Sequence, residues 1–481
     1  MVSNLKQDEM PLLRAMKEYQ ERDVTVFDVP GHKRGKGVSV LSEYYGLQLM
    51  QLDTNSLPAL DNAGNPTGVI KEAQALLADA YGADAAFFMT NGSTSAIHAM
   101  LLAVLTPGDK ILMPKNIHKS ALNGLILCGA IPVYMRPDVC VKEGLMVNVS
   151  VNEVRHCLDE NPDAKAVFIL NPTYFGHVSD LEVISKLCYE RGVLLLADEA
   201  HGAHFPFHEA MPKPALACGA DMSALSIHKT GGALTQASAL LVNTKNVDPM
   251  RVKRAINILQ STSVSYLLMG SLDGARYNLV QNGHVQLIQA IALSREARLG
   301  LNKIAGISTI TETKFHDPTK LVINISGLSL TGFEVYEKLW QEYNIQLELC
   351  ETNHVLAIIS LGDQPADIKR LVTAMTDLAA RFPGSGKESH LLTGPTFTPV
   401  MQMMSPRDAH FSEKELVLFA DAIGRIAGES IMAYPPGIPL ISPGEEITAS
   451  VVRNLKELLE KGAFIVDNTD PLLERVLVVK V

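Results

Sequence analysis

The amino-acid sequence predicts an α/β protein whose large domain is built on a mostly parallel sheet. Short apolar runs of strand length alternate with stretches of helical period between residues 70 and 242, an alternation typical of βα units. The chain has 481 residues, enough for two or three domains. Hydrophobic residues make up 47% of it and charged residues 20%, so we expect an extensive core and exclude a largely disordered chain.

The elements follow this pattern in order along the chain. The first 20 residues predict an amphipathic helix, and a basic, glycine-rich loop follows at 30–37. Predicted helices of the large domain include Ser95–Leu105 and Leu181–Arg191. The predicted strands are Ala85–Met89, Lys110–Met113, Ile131–Met135, Ala166–Leu170, Val193–Ala197 and Met222–Ser226.

The rest of the chain predicts further domains. A long helical region at 248–303 precedes a β, α, β, α pattern between 320 and 380, which indicates a smaller α/β domain. The stretch F-P-G-S-G-K at 382–387 is typical of a linker. The predicted parts are an N-terminal helix and loop at 1–40, a large domain at 41–305, a small α/β domain at 306–385 and a C-terminal domain at 386–481.

Charge, cysteines and the N-terminus exclude several classes of function. The balance of 42 basic and 52 acidic residues gives a net charge of −10, which argues against nucleic acid or an acidic membrane as a partner. Six scattered cysteines include no C-x-x-C pair, so we expect no metal site and a reducing, cytoplasmic location. The polar N-terminus does not match a signal peptide, and no run of 18 apolar residues predicts a membrane span.

Two charged residues follow predicted strands of the large domain. Asp198 ends one strand, and Lys229 follows the next one in S-I-H-K-T-G-G. Because ligand-binding groups gather at the carboxyl ends of parallel strands, we expect both side chains to face one crevice. An amine and an acid there suit pyridoxal 5′-phosphate, which needs a lysine for its aldehyde and an acid beside its ring nitrogen. Taken singly, Asp198 is equally compatible with a helix N-cap and Lys229 with a surface position.

Hydroxyl groups near these residues predict a phosphate site. The sequence Gly92-Ser93-Thr94-Ser95 opens a helix, and the N–H groups at a helix N-terminus attract anions. Ser226 lies three residues before Lys229 and can add a hydroxyl. His118, in N-I-H-K-S after another strand, can stack on a pyridine ring. The alternatives are ordinary N-capping by the serines and a structural role for His118.

Several motifs in order along the chain support one resemblance. They are V-P-G-H-K-R-G-K-G (29–37), N-P-T-Y-F-G (171–176), A-D-E-A-H-G-A-H-F (197–205), S-I-H-K-T-G-G-A-L-T-Q-A-S (226–238), S-T-S-V-S-Y-L-L-M (261–269) and Y-P-P-G-I-P (434–439). With them the sequence resembles, over nearly its whole length, the bacterial ornithine/lysine/arginine decarboxylase family in its short form, which lacks the N-terminal receiver-like wing domain. The likeness favours the short-form arginine decarboxylases.

The resemblance implies a fold of the aspartate-aminotransferase type, with pyridoxal 5′-phosphate bound in the large domain. It implies that Lys229 is the Schiff-base lysine and that Asp198 contacts the pyridine nitrogen. It further implies a catalytic homodimer in which the S-T-S at 261–263 reaches the partner's phosphate. The other implied cofactor contacts are Ser93, Thr94, Ser226 and His228 at the phosphate, His118 and Ala200 on the two ring faces, Thr173 near the phenolic oxygen, and Ser95 and His201 as further binding residues.

The implied reaction is decarboxylation of a basic amino acid to the corresponding polyamine or diamine, with L-arginine favoured, then L-lysine or L-ornithine. Lys229 or His228 is the candidate acid that returns a proton to Cα. A transaminase, aldolase or oxidative deaminase on the same scaffold stays open, as does a non-catalytic, cofactor-binding regulator. A transaminase of this fold needs an arginine for the substrate carboxylate, and Arg370 and Arg407 are candidates outside any transaminase-like motif.

The distal cation of such a substrate needs an acidic partner. Glu445, after the proline-rich turn, is our first candidate, because a charge-assisted pair offsets the desolvation of a cation. Glu446 and Asp61 are the alternatives, and a solvated acidic loop is the ordinary interpretation of Glu445 and Glu446. The family carries a Leu-Asp-Asp-Leu-His-like stretch where this sequence has Leu60–Pro66, so the substrate contacts of this loop are expected to differ.

Overall fold

The computed structural model describes residues 6–140, 143–384, 400–434, 438–460, 464–466 and 468–480. Within these ranges the chain forms two compact units, one from residues 1–104 and 196–285 and the other from residues 105–195 and 286–481. The units do not coincide with the four predicted domains, whose boundaries stay predictions. Residues 385–387 of the predicted linker and 435–437 of the proline-rich turn lie outside the described residues.

Helices and strands alternate along both units. The helices are α1 Pro11–Glu21, α2 Ser39–Tyr45, α3 Leu47–Leu52, α4 Val69–Ala80, α5 Gly92–Val104, α6 Lys119–Cys128, α7 Val151–Glu160, α8 Leu181–Arg191, α9 Ile227–Thr230, α10 Pro249–Leu259, α11 Tyr266–Leu301, α12 Gly332–Tyr343, α13 Pro365–Arg381, α14 Pro406–Phe411 and α15 Ala449–Glu460. The strands are β1 Ala85–Met89, β2 Lys110–Pro114, β3 Ile131–Met135, β4 Val139–Cys140, β5 Leu145–Met146, β6 Ala166–Leu170, β7 Leu194–Asp198, β8 Met222–Leu225, β9 Ser238–Val242, β10 Ser308–Thr309, β11 Lys320–Asn324, β12 Leu349–Cys350, β13 His354–Ile358, β14 Lys414–Leu418, β15 Ile431–Tyr434, β16 Ile438–Ile441, β17 Phe464–Val466 and β18 Arg475–Val479.

The first unit contains strands in the order β1, β9, β8, β7. Strands β7 and β8 are parallel, with Asp198 opposite Ala224, whereas β9 is antiparallel to both β8 and β1. Every residue of β8 and β9 is buried, which explains why these strands have mostly apolar sequences, with one serine each. Because β7 and β8 run in the same direction, their carboxyl ends lie at one edge, where residues 198 and 226–230 follow.

The second unit contains the parallel strands β3, β2 and β6. A separate antiparallel sheet has the order β10, β11, β13, β12, and α12 and α13 share its apolar core. The most C-terminal elements form two small sheets, β14 with β18 and β15 with β16 and β17, which share a core with α15. The predicted elements of the large domain are thereby confirmed, and so are the four elements predicted after residue 320. The short strand β12, Leu349–Cys350, lies between the second and third of these and was not predicted.

Helix α1 is anchored by buried charges on α11. It has no side-chain N-cap of its own. Instead, the first-turn amides of Leu12 and Leu13 donate to Asp273 Oδ2 at 3.0 and 3.2 Å. Arg276 binds the other oxygen of that carboxylate at 2.8 Å and the carbonyl of Gln7 at 2.7 Å. Since both charged side chains are almost completely buried, each depends on these partners.

The predicted helical region at 248–303 consists of two helices, α10 and α11, separated by residues 260–265. Helix α11 has 36 residues and carries buried charged groups, including Arg298. Across the part of the chain that the structure describes, no helix combines the length and the apolar character needed to cross a membrane.

Candidate functional site

Asp198 is a buried carboxylate at the carboxyl end of β7. Its residue is 2% exposed, and its Oδ1 accepts a hydrogen bond from the Ala200 amide at 3.1 Å. Burial raises the pKa of Asp198 to about 6, while the charge of Lys229 and the Ala200 N–H oppose this rise. A nearby cation is therefore what keeps this acid ionised.

Lys229 lies on α9, the single helical turn after β8. Its Nζ is 3.0 Å from His201 Nε2, and its positive charge lowers the pKa of Asp198. Lys229 is partly exposed, whereas Asp198 and His201 are buried. The structure therefore brings together the amine of a partly exposed lysine, an imidazole and a buried acid at the ends of two parallel strands, and their roles stay predictions.

The predicted phosphate-binding hydroxyls meet at the N-terminus of α5. Ser226 Oγ donates to Ser93 Oγ at 2.8 Å, so the two segments converge there. Ser95 Oγ donates to the Gly92 carbonyl within the same turn at 3.0 Å, and Thr94 is partly exposed beside them. Hydroxyls and N–H groups at the start of a 13-residue helix are groups that attract anions, and the phosphate contact expected of them stays a prediction.

A left-handed turn fixes the start of α5. Gly92 has φ of +70°, and its amide donates to the carbonyl of Gln236 at 2.9 Å. Gln236 also has positive φ, 76°. The segment before β9 therefore holds the helix terminus in place.

His228 is oriented by the segment that leads into β9. Its amide and its Nδ1 both lie 3.1 Å from the carbonyl oxygen of Ala237. Ser238 Oγ is 3.5 Å from the same ring nitrogen. These contacts orient the imidazole of His228, the residue immediately before Lys229.

Sequence reasoning missed Glu199, a second buried acid directly after Asp198. Its carboxylate accepts from the Ala215 amide at 2.8 Å and from Ser223 Oγ at 2.6 Å. Burial raises the pKa of Glu199 to about 7 in spite of these donors. The signal for it was the second acid of A-D-E-A at 197–200, which follows a predicted buried strand directly. Ala200, the next residue, is buried at 7% exposure.

His118 and Thr173 belong to the second unit. His118 is the N-cap of α6, where its Nδ1 accepts from the Ser120 amide at 3.2 Å. Thr173 follows β6 and is 3% exposed, and its Oγ1 accepts from the His177 amide at 3.2 Å. Each therefore has a local structural role, and the cofactor contact expected of each stays a prediction.

Glu445 is completely buried in the second unit and forms an ion pair with Lys115. Its second oxygen accepts from the Ser442 amide at 2.7 Å. The Lys115 ammonium also lies 4.4 Å from the centre of the Tyr134 ring. Burial lowers the pKa of Lys115, and Glu445 opposes that shift. Lys115 was missed by sequence reasoning, which paired Glu445 with a substrate cation or with solvent. The complete burial of Glu445 shows that the solvated-loop interpretation is wrong for this residue.

The turn S-P-G-E at 442–445 explains why glycine precedes this acid. Gly444 has φ of +88°, and a Cβ there would lie 2.3 Å from the Met404 carbonyl oxygen. The Glu445 amide closes the turn by donating to the Ser442 carbonyl at 3.1 Å. The turn thus aims Glu445 at Lys115, which follows β2 three residues before His118.

Asp61, in the loop that differs from the family, binds the start of α4. Its carboxylate accepts from the amides of Asn62 at 2.8 Å, Thr67 at 3.0 Å and Gly68 at 2.8 Å. Burial raises the pKa of Asp61, but the backbone donors prevail and the net shift is downward. This acid is therefore already used in holding its own loop.

Comparison with known proteins identifies the family. Residues 10–312 match the model "Orn/Lys/Arg decarboxylase, major domain", and residues 392–463 match "Orn/Lys/Arg decarboxylase, C-terminal domain". An arginine decarboxylase of Bacillus anthracis is 38% identical over 99% of this chain and 98% of its own length. One of Bacillus subtilis is 37% identical over 99% of each. A lysine decarboxylase of Pseudomonas aeruginosa is 24% identical over 94% of this chain and 75% of its own.

Solved structures share the fold. A lysine decarboxylase of Francisella novicida superposes with a TM-score of 0.84 at 18% identity, covering 98% of this chain and 82% of that one. An alanine–glyoxylate aminotransferase of Nostoc gives a TM-score of 0.55 at 18% identity over 68% and 93% of the two chains. The expected α/β fold of the aspartate-aminotransferase type is confirmed.

Removing one partner of the Lys115–Glu445 pair should destabilise the second unit. We expect Lys115→Met or Glu445→Gln to lower the free energy of unfolding by about 3 kcal/mol or more, because each leaves a buried charge unpaired. The double variant should recover at least half of that loss, since it leaves neither charge. Urea unfolding followed by the fluorescence of Trp340, the single tryptophan, reports on this unit.

The matched control is Glu21→Gln, which removes one partner of an exposed pair with Lys17 and should change stability little. Additive losses in the double variant would show that the two buried charges are not coupled.

Proposed function

Because this chain belongs to the Orn/Lys/Arg decarboxylase family, it is a decarboxylase of basic amino acids, and we propose that L-arginine is its preferred substrate, ahead of L-lysine and L-ornithine. The full-length similarity to arginine decarboxylases at 37% and 38% identity supports this order. The observation that carries the catalytic assignment is the cluster of Lys229, His201 and buried Asp198.

Pyridoxal 5′-phosphate is the cofactor that fits these residues. The amine of Lys229 suits its aldehyde, and buried Asp198, raised in pKa to about 6, requires a cation such as a protonated ring nitrogen. The Ser93–Ser226 hydroxyl pair at the α5 N-terminus suits its phosphate. When bound, the cofactor supplies an electron sink for the pair left by the departing CO₂.

In this proposal the residues of the chain hold and move protons. Lys229 would hold the cofactor through its Nζ, and His201 Nε2, 3.0 Å away, would accept a proton from that Nζ so that the amine is nucleophilic. Asp198 would keep a proton on the ring nitrogen of the bound cofactor. Lys229 or His228 returns a proton to Cα after CO₂ has left.

Other residues would orient the cofactor. His118 and Ala200 would bound the two faces of the ring, and Thr173 would lie near its phenolic oxygen. Ser93, Thr94, Ser95 and His228 would complete the phosphate site together with Ser226. The small size and burial of Ala200 support its position against a flat ring.

A transaminase is less well supported. Arg407 donates to the carbonyl groups of Ile126 at 3.2 Å and Leu127 at 2.7 Å, and Arg370 donates to the carbonyl of Tyr343 at 2.5 Å. Both candidate arginines for a substrate carboxylate are thus engaged at helix ends. A non-catalytic regulator is disfavoured because Lys229 and Asp198 are both present and coupled.

We also propose a homodimer in a cytoplasmic location. The S-T-S segment at 261–263 is exposed, which leaves it available to a partner's phosphate site. All six cysteines are thiols, in keeping with a reducing compartment. Sedimentation equilibrium of the active enzyme tests the dimer, and an active monomer would refute it.

Lys229→Ala should abolish decarboxylation and covalent attachment of the cofactor. The purified protein is incubated with L-arginine, L-lysine and L-ornithine in turn, and the amine products are quantified by mass spectrometry. Wild type should give the highest kcat/KM with arginine, and Lys186→Ala, at an exposed lysine of α8, should match it. Full turnover and a borohydride-stable cofactor adduct in Lys229→Ala would exclude this lysine.

Asp198 should give cofactor binding a characteristic pH dependence. Its raised pKa of about 6 means that lowering the pH through 6 protonates the carboxylate and removes the partner of the ring nitrogen. Cofactor affinity should therefore fall up to about tenfold per pH unit below 6. In Asp198→Asn this component should disappear, and the difference between the two profiles isolates the carboxylate from the titration of the phosphate.

The same acid should be required for turnover. Asp198→Ala should lower kcat at least about a thousandfold, or about 4 kcal/mol of transition-state stabilisation. A rate close to wild type would mean that Asp198 is misassigned.

Glu445 remains our proposed partner of the substrate's distal cation. A carboxylate oxygen can accept a second hydrogen bond, so pairing with Lys115 does not exhaust it. Glu445→Gln should raise KM about ten- to a hundredfold without changing the cofactor spectrum. The Lys115→Met/Glu445→Gln variant distinguishes substrate binding from folding: KM should stay high there although stability is restored, and a wild-type KM would make the role of Glu445 structural.

A further inference from the structure

We propose that His208, Glu209 and His284 form a binding site for a divalent transition metal of the zinc type. The three residues belong to the first unit, and their ligand atoms all lie within 4.8 Å of one another. Glu209 Oε2 is 3.2 Å from His284 Nε2 and 3.9 Å from His208 Nδ1. One carboxylate oxygen thus faces two ring nitrogens, and none of these residues has a part in the proposed reaction.

The scaffold fixes both segments that carry the donors. Phe207, next to His208, packs edge-on against the Tyr81 ring with centroids 5.3 Å apart. Tyr81 Oη in turn donates to the carbonyl of Ala203 at 2.8 Å. On the helix side, a Cβ on Gly283 would lie 3.4 Å from Phe207 Cβ. This is an ordinary van der Waals distance, so α11 packs directly against this segment, and His284 lies beside His208.

The two imidazoles are arranged by this packing. Their centroids are 4.8 Å apart, and the ring planes are inclined by only 27°. The His208 side chain is 8% exposed, whereas Glu209 and His284 are 79% and 58% exposed. One ligand is thus held in place, and the other two can adjust by small rotations to the Zn–N and Zn–O distances of about 2.0–2.2 Å.

The donor chemistry selects the class of ion. Two imidazole nitrogens with one carboxylate oxygen suit Zn²⁺, Ni²⁺ and Cu²⁺, whereas Ca²⁺ and Mg²⁺ prefer oxygen ligands alone. Three protein ligands leave one position for water. The Ala210 amide donates to His208 Nδ1 at 3.0 Å in an exposed hydrogen bond, and a metal on that nitrogen would release this amide to solvent, where water replaces the lost acceptor.

The consequence would be a cross-link between α11 and the segment that follows the catalytic strand β7. Asp198, His201 and the donors His208 and Glu209 lie on one continuous segment. An ion bound by the donors would therefore restrain the segment that carries Asp198 and His201. A ligand that binds only the folded state raises its stability with concentration. The proposal does not depend on the decarboxylase assignment.

Zinc binding to the untagged, cofactor-loaded protein tests the proposal. Calorimetric titration with ZnCl₂ should give one site per chain, and the thermal midpoint should rise with Zn²⁺ concentration. His208→Ala and His284→Ala should each weaken binding at least about tenfold and remove the rise. Electron paramagnetic resonance of the Cu²⁺ form should show two nitrogen ligands in wild type and one in His284→Ala.

Matched controls separate this site from exposed histidines elsewhere in the chain. His156→Ala and His410→Ala remove exposed imidazoles elsewhere and should leave Zn²⁺ affinity unchanged. Binding that persists in the His208→Ala/His284→Ala variant, or equal binding of Mg²⁺, would overturn the proposal. The absence of Zn²⁺ binding would reduce the cluster to a His–Glu hydrogen bond. Either outcome leaves the test of Lys229 unaffected.

Discussion

The burial of a carboxylate at the end of a β-strand is the constraint on which the rest of the site depends. Asp198 and Glu199 are adjacent and equally buried, yet they are satisfied differently. Glu199 takes its hydrogen bonds from Ser223 and Ala215 and so holds the segment around residue 215 against β8. Asp198 has one backbone donor and otherwise relies on positive charge. One acid therefore stabilises the local fold, and the other is left dependent on a cation, which is what a cofactor with a protonated ring nitrogen offers.

The second unit also contains a buried carboxylate, and here the chain itself supplies the counter-ion. Glu445 is more deeply buried than Asp198, but its counter-ion comes from the chain itself, Lys115, while Ser442 supplies a backbone donor. A left-handed glycine is required to make the turn that delivers this acid. The pair connects the segment matched by the C-terminal family model with the β2–α6 connection that carries His118. A motif that looks like a substrate-binding acid is thus also a link between distant parts of the sequence.

Sequence patterns predicted local structure well and partners poorly. Apolar runs located β1, β2, β3, β6 and β7 closely, because buried strands leave a direct signature. They could not give the direction of β9, since an antiparallel strand buried on both faces has the same composition as a parallel one. The strand-end rule brought Asp198 and Lys229 together, but nothing near Glu445 indicates a lysine 330 positions away. Likewise, Asp61 looked like a possible substrate contact, and only the folded loop reveals that its carboxylate serves four neighbouring amides.

The anchoring of α1 has a consequence for the timescale on which the first unit opens. The first amides of a helix ordinarily face water and exchange their hydrogens quickly. Here the amides of Leu12 and Leu13 end on a buried carboxylate that a buried guanidinium also binds. Fraying of this terminus would expose Leu12, remove both amide donors from Asp273 and remove the Gln7 carbonyl from Arg276. We therefore expect the helix to be released only when its surroundings on α11 open as well. Slow deuterium uptake at these two amides would therefore report on a cooperative opening of α1 and α11 together.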